Sequence, residues 1–284
     1  MSETLQNPAP ACLHAFGIRF WNGRCEDLLV EMDERGGVLT VPSAPSLGQA
    51  GDDPFLMEAY RAGDWSVVDG GYCALTLRGM GVKVRRISGL QIIEKSVAAT
   101  TDAVVPMRQR RILWVMPNDE ERARTRHLLH GLGFDPGRQH YYLAPYYRSD
   151  EDFADAELIR QVKEFRPDWI ILGLAGGRQE KLAYHLRRIE WDEASRARRD
   201  RGPAILCTGA AIAFFSGGQV AIPKWADRMY LGWAFRAFKD PKTCVPRYIK
   251  AFWHFPLLVA KEKLRGGVVA NPSLGSVPGS TAEP

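Results

Sequence analysis

Short apolar runs recur along this chain, and segments with helical periodicity lie between them. Arg111 to Met116, His140 to Ala144, Trp169 to Leu172 and Ala204 to Cys207 read as strands. Helix patterns span Asn118 to Leu132, Asp150 to Phe165, Arg178 to Ile189 and Ala210 to Phe215. Trp169 to Leu172 and Ala204 to Cys207 are continuously apolar, as in strands buried on both faces. A helix between two such strands is the crossover that a parallel pair requires. The expected fold is therefore α/β: a Rossmann-like, mainly parallel sheet with helices on both faces, plus a C-terminal helical basic appendage.

The first third fits the same alternation. Glu26 to Arg35 reads as a helix ended by Gly36-Gly37, and Val38 to Pro42 as a strand. Pro42-Ser43-Ala44-Pro45 is expected to break that strand into a loop, and Asp53 to Ala62 is a helix with an Asp-Pro start. Trp65 to Asp69 is a short apolar strand that stops at an acid and two glycines, with a helix from Cys73 to Met80. Val84 to Gln91 turns over Ser88-Gly89, and residues 92–108 carry no clear pattern. An acid at the carboxyl end of a strand, before a helix, stands where open α/β sheets keep their ligand sites. An acid that merely caps the helix would look the same, so the rest of the chain has to decide about Asp69.

Composition narrows the class. The chain has 284 residues, enough for one large domain or two modest ones, and 45% hydrophobic with 25% charged residues is ordinary for a globular protein. The polar N-terminus has no signal-peptide pattern, and no run approaches the roughly 18–20 apolar residues of a spanning helix. Five cysteines, none paired as CxxC, argue for a reducing compartment and against a disulfide framework or zinc site. The positive charge is local. Lys224 to Arg265 hold ten Lys/Arg against three Asp/Glu, a net of +7, while the remainder is net −2. Such a region seeks phosphate on an anionic bilayer or a phosphorylated ligand, and no nucleic-acid module is visible.

These shifts set expected boundaries. Residues 1–15 are a loose leader, 16–222 the Rossmann-like domain, 223–265 a helical appendage, and 266–284 a Gly/Pro/Ser-rich disordered tail. Lys224 to Lys239 and Lys242 to Lys263 read as two helices broken at Asp240-Pro241, with Pro246 and Pro256 interrupting any long regular helix. The appendage mixes aromatic and basic residues, which suits a membrane surface, a phosphorylated ligand or plain packing on the core.

Several patterns have bland readings beside the chemical ones. Gly173 to Gly177 follow a buried strand and open a helix, so Gly176 is a candidate anion contact; the turn equally suits tight packing. The order of a dinucleotide fingerprint and a Walker Lys-Ser/Thr are both missing. Asp150-Glu151-Asp152 has the form of a metal–nucleotide acid pair, but a helix start favours acids anyway. His127 and His130 lack partners at metal-ligand spacing, and no Gly-x-Ser-x-Gly elbow appears.

Ordered blocks of the chain resemble the WecG/TagA/CpsF family of bacterial glycosyltransferases over roughly residues 12–263. They are Val38 to Pro42, Val67 to Gly70, Arg86 to Gly89, Gly173 to Ala175 with Gln179-Glu180, Gly209 to Gly217, and Trp233 to Arg236 with Asp240-Pro241 and Arg247-Tyr248. The resemblance implies a Rossmann-like domain with a C-terminal appendage that meets the membrane. It implies transfer of a sugar, by default N-acetylmannosamine, from a UDP-sugar to a polyprenyl-diphosphate-linked glycan in surface polysaccharide synthesis. The transfer is expected to invert the anomeric centre, with no metal and no cofactor beyond the donor. Residue by residue, Asp69 matches the proposed general base, and Thr40, Arg86 and Gln179 match pocket positions. Arg236 and Arg247 match basic positions that meet diphosphate. The chain has Ser43 in the loop that usually carries an Asn, and Gln91 where an Asp often follows the Ser-Gly pair; both are carried as substrate-binding positions. The expected location is cytoplasmic, peripheral at the inner face of the membrane, and self-association is left open. The alternatives are a non-catalytic nucleotide-sugar or lipid-phosphate binder on the same fold, and a nicotinamide dehydrogenase, which the missing glycine fingerprint disfavours.

Overall fold

A computed structural model describes residues 12–97, 105–191, 199–209, 211–217, 241–266 and 269–271, and elements are numbered over these residues. The strands are β1 (Cys12–Ala15), β2 (Ile18–Trp21), β3 (Gly37–Thr40), β4 (Trp65–Ser66), β5 (Ile112–Met116), β6 (Gln139–Leu143), β7 (Trp169–Leu172), β8 (Ala204–Cys207) and β9 (Val269–Asn271). The helices are α1 (Cys25–Arg35), α2 (Ala44–Ala50), α3 (Pro54–Ala62), α4 (Gly71–Gly79), α5 (Gly89–Val97), α6 (Asp119–Gly131), α7 (Ala156–Phe165), α8 (Arg178–Arg187), α9 (Ala211–Phe215) and α10 (Pro241–Leu264).

One sheet runs β6-β5-β7-β8-β3-β4-β2-β1-β9. It is parallel from β6 to β2, and β1 and β9 add antiparallel at the far edge. The central strands are buried on both faces, and their side chains alternate between two cores. Leu39, Trp114, Ile171 and Leu206 pack with Leu28, Ile92, Leu129 and Ile212 of α1, α5, α6 and α9. Their neighbours Val38, Leu113, Ile170 and Ile205 pack with Leu158, Val162, Leu182 and Leu186 of α7 and α8. A third cluster joins Leu13, Ile18 and Phe20 of the antiparallel edge to α2, α3, α4 and α10.

Local chemistry sets the helix starts. Asn118 accepts from Glu121 N at 2.8 Å and Asp53 from Leu56 N at 2.9 Å, each satisfying an orphan donor of the first turn. Asp155 caps α7 through Leu158 N at 3.0 Å and also accepts the hydroxyls of Tyr142 and Tyr147. The amino edge of the sheet is closed by a buried ionic cluster. Arg199 reaches Asp33 at 3.0 Å and Asp168 at 2.9 Å, and Asp33 also accepts from Trp169 Nε1 at 2.9 Å.

The structure corrects several expectations. The loop expected over 42–45 is shorter than that, since Pro42 and Ser43 lie outside regular structure but Ser43 starts a helix: its N–H donates to Ser46 Oγ at 2.8 Å, and α2 follows from Ala44. Helix α5 occupies much of the unassigned stretch after Ser88. The helix expected from Asp150 begins only at Ala156, after a short 3-10 turn at Glu151–Phe153. The leader is not loose throughout, since Cys12–Ala15 pairs with both β2 and β9. The expected disordered tail likewise contributes β9. Pro246 and Pro256 do not interrupt α10, which runs through both. Its stripe of Ala251, Phe255 and Val259 is fully buried, so packing outweighs the lost backbone bonds. The helix expected at Lys224 to Lys239 lies outside the described residues.

Helix α10 lies against α2 and α4 by specific contacts. Tyr72 OH donates to Phe252 O at 2.9 Å, and the two rings stack with centroids 5.8 Å apart. Phe16 N donates to Glu262 Oε1 at 2.7 Å, and Lys263 Nζ donates to Met80 O at 2.6 Å.

Candidate active site

The carboxyl ends of β3, β4, β7 and β8 converge through their turns. Asp69 N donates to Pro42 O at 3.2 Å, which ties the end of the β4 segment to the turn after β3. Beyond Asp69, Gly70 takes a φ of 78°, a conformation that suits glycine, and Gly71 opens α4. Val68 pairs in parallel with Arg86, and Ile87 N donates to Val68 O at 3.1 Å. The Asp69 and Arg86 segments therefore leave the sheet side by side. Gly89 then comes in tightly: a Cβ there would stand 3.3 Å from Thr208 O and 3.6 Å from Val41 Cγ1. A larger residue would push α5 off the ends of β3 and β8.

Asp69 is partly exposed at this edge, as a group that meets a ligand must be. Burial, and after it the charge of Asp69, pushes the Cys73 thiol of α4 far above the ordinary thiol range. Arg86 and Gln91 are also partly exposed, and Gln91 N donates to Ser88 Oγ at 3.1 Å. Gly176 is exposed, with open space where a side chain would be. Asp69, Arg86 and Gly176 thus lie on segments that leave the carboxyl edge of the sheet, and Gln91 lies in the first turn of α5 beside them.

Three further positions make structural contacts within the protein. Thr40 is fully buried, and its hydroxyl pairs with that of Ser66 at 2.6 Å. Ser43 caps α2. Gln179 is buried, its Oε1 accepts Gly209 N at 2.6 Å, and its Nε2 donates to Glu180 Oε1 at 2.9 Å. Glu180 Oε2 in turn accepts Gly177 N at 2.6 Å. Gln179 and Glu180 therefore form one polar unit that fixes the β7–α8 and β8–α9 turns to each other. Burial raises the Glu180 carboxyl above its ordinary range, and the nearby Tyr60 and Cys207 are pushed up as well. Arg236 and the side chain of Arg247 lie outside the described residues.

Two acids of the triplet have partners within the protein. Lys181 Nζ lies 2.6 Å from Asp150 and 2.8 Å from Asp53, and Asp152 accepts Arg148 N and Ser149 N. Among the described residues, no three of His, Cys, Asp and Glu come together as a metal-holding group, and no helix is long and apolar enough to cross a membrane. Sequence reasoning missed Tyr146, which is 71% exposed with the Arg178 guanidinium 4.2 Å from its ring centroid. That pair stands where the loop after β6 meets the start of α8. Its only sequence signal is the Tyr146-Tyr147 pair after a strand.

An acid beside a cationic segment, on the sheet edge that also carries the exposed Gly176, suits transfer chemistry on an anionic leaving group. Comparison with curated proteins finds no match. The model of the glycosyl transferase WecG/TagA/CpsF family matches residues 13–268, which takes in the whole sheet up to the last turn before β9. With most of its length inside that match, the chain belongs to the WecG/TagA/CpsF family of glycosyl transferases.

Proposed function

We propose that this glycosyltransferase moves a sugar, by default of the N-acetylmannosamine type, from a UDP-sugar to a lipid-diphosphate-linked acceptor. The reaction inverts the anomeric centre, uses no metal, and serves envelope polysaccharide synthesis at the inner face of the membrane. The observation that carries this reading is the partly exposed Asp69, held by the Pro42 contact next to the Arg86 segment.

In the proposed step, the Asp69 carboxylate takes the proton of the acceptor hydroxyl as that oxygen attacks the anomeric carbon. The bond to the donor diphosphate breaks on the opposite face, and its electrons leave with UDP. A positioned base of this kind contributes typically ~10²–10⁴ in rate. Arg86 and the backbone N–H of Gly176 meet the negative charge that develops on the leaving group. Gln91 lies close enough in sequence to the Ser88 turn to contact the same ligand. Thr40, Ser43 and Gln179 support the pocket from behind. Arg236 and Arg247 are proposed to meet the acceptor diphosphate.

A thermal-shift series against UDP, UDP-sugars, GDP-mannose and NAD tests the nucleotide. A ligand that binds the native state raises the melting temperature by mass action. A rise with UDP and one UDP-sugar, without added magnesium, is the expected result. A rise with NAD alone would overturn the reading. Donor binding without turnover on any lipid-linked acceptor would assign a binding role instead.

A further inference from the structure

A groove at the end of α4 lies outside the site described above. It has a volume of about 670 Å³ and is lined by Asn22, Arg78, Gly81, Lys83 and Arg85, with Val82 and Val84 forming its floor. Burial alternates along this segment: Val82 and Val84 are buried, while Lys83 and Arg85 are exposed. Residues two apart in extended backbone share a face, so the two cations point the same way.

The backbone around them is arranged so that little negative charge opposes an anion. Asn22 Nδ2 donates to Lys83 O at 3.0 Å, and Asn22 Oδ1 accepts Arg85 N at 2.6 Å. Arg78 donates to Val84 O through Nε at 3.2 Å and Nη2 at 2.9 Å. Lys263, arriving from α10, covers Met80 O. Three neighbouring carbonyls are each engaged by a donor, and two of those donors are cationic. Among the described residues, no carboxylate is ion-paired with Lys83, Arg85 or Lys263.

Lys263 brings α10 to the edge of this groove at Met80 and Gly81, and the same helix carries an exposed apolar ridge. Ile249, Phe252, Trp253 and Leu257 form one stripe of α10, each more than half exposed, at 58%, 56%, 66% and 61%. Phe252 stacks on Tyr72 of α4, and Leu75 extends the exposed apolar surface along α4. From Leu257 to Lys263 the helix advances about 9 Å, the depth over which an interface passes from acyl chain to headgroup. An apolar ridge that ends in a cationic groove is complementary to an anionic bilayer surface.

We propose that this groove holds the phosphate of an anionic phospholipid headgroup while the α10 ridge lies in the bilayer interface. The inference rests on the membrane-peripheral reading given above and assigns it a second, domain-borne contact. The test uses the full chain with vesicles of phosphatidylglycerol or phosphatidylcholine. Lys83→Gln/Arg85→Gln is expected to bind phosphatidylglycerol vesicles about thirtyfold more weakly, with little effect on phosphatidylcholine. Both side chains are exposed, so the melting temperature should hold. Arg126→Gln/Arg160→Gln removes the same charge from α6 and α7 and is expected to cost less than threefold.

Equal losses in the two double variants would reduce the effect to overall charge and overturn the groove. Unchanged binding by Lys83→Gln/Arg85→Gln, with Phe252→Ser/Trp253→Ser losing it, would also overturn the groove while sparing the membrane reading. Wild-type protein that binds neither vesicle would remove both. If inorganic diphosphate raises the melting temperature of wild type but not of Lys83→Gln/Arg85→Gln, and vesicle binding is equal, the groove takes a soluble phosphate and the lipid assignment falls.

Discussion

Gln179 Oε1 accepts the backbone N–H of Gly209 at 2.6 Å, across the turns that follow β7 and β8. This bond makes the carboxyl edge of two neighbouring strands one rigid piece. Its consequence is structural first. Gln179→Ala leaves the Gly209 N–H and Glu180 each short of a partner, a loss of about 1–3 kcal/mol. Urea unfolding should show a lower midpoint with an unchanged slope. Transfer activity should fall too, although Gln179 itself is buried away from ligand.

Asp69→Asn is expected to keep the fold and remove about 10²–10⁴ of the turnover number. The side chain is only partly buried, so the melting temperature should stay near that of wild type. Donor affinity, read by the thermal shift with UDP, should be retained. Full turnover in this variant would reassign the base.

Glu180 makes stability depend on pH. Burial raises its folded-state pKa above the unfolded value, so the native state holds this proton more tightly. The native state is then favoured most at low pH and loses that advantage as pH rises from about 4.3, the unfolded carboxylate range, through the folded pKa. Glu180→Gln cannot ionise. Its melting temperature relative to wild type should therefore climb as pH rises through that window and level off above it. A difference that is flat with pH would place the charge elsewhere.

The amino edge offers a test of a buried ion cluster. Arg199→Ala leaves Asp33 with Arg110 as its remaining guanidinium and Asp168 with the Arg111 N–H among its remaining contacts, and should cost about 3 kcal/mol, the low end for a broken buried pair. Calorimetry would read it as a large drop in melting temperature. The donor-induced shift in whatever native protein remains should be unaffected, because the cluster lies at the opposite end of the sheet from Asp69.

Much of this architecture can be read from local pattern. Trp169 to Leu172 and Ala204 to Cys207 are strands at the expected residues, because a strand buried on both faces has no polar member to blur its ends. The Asp69 corner is equally legible, since an acid and two glycines interrupt an apolar run. Thr40 is different. A two-residue period says that a strand has two faces, not which neighbour waits on each, and Ser66 is the partner that fixes it. Helix α5 was masked by Ser88-Gly89, which reads as a turn; Gly89 is instead a close-approach residue against Thr208 O. Pro246 and Pro256 argue locally against a long α10, and only the buried Phe255 and Val259 outweigh them. Gln179 matched a pocket position in the family pattern, yet its partner Gly209 lies thirty residues on, beyond any local reading.

Strand β9 pairs with β1, so the chain's C-terminal segment covers the antiparallel margin of the sheet. Cutting the protein before α10 would therefore do more than remove an amphipathic helix. It would bare the apolar bed of Phe255 and Val259 and leave the backbone of β1 unpaired along its outer side. An uncovered strand of that kind recruits other chains. Shortened versions should self-associate through it, and any change in their vesicle binding would be confounded with aggregation. Point substitutions on the ridge, which leave the seam between the two ends of the chain closed, are the cleaner instrument.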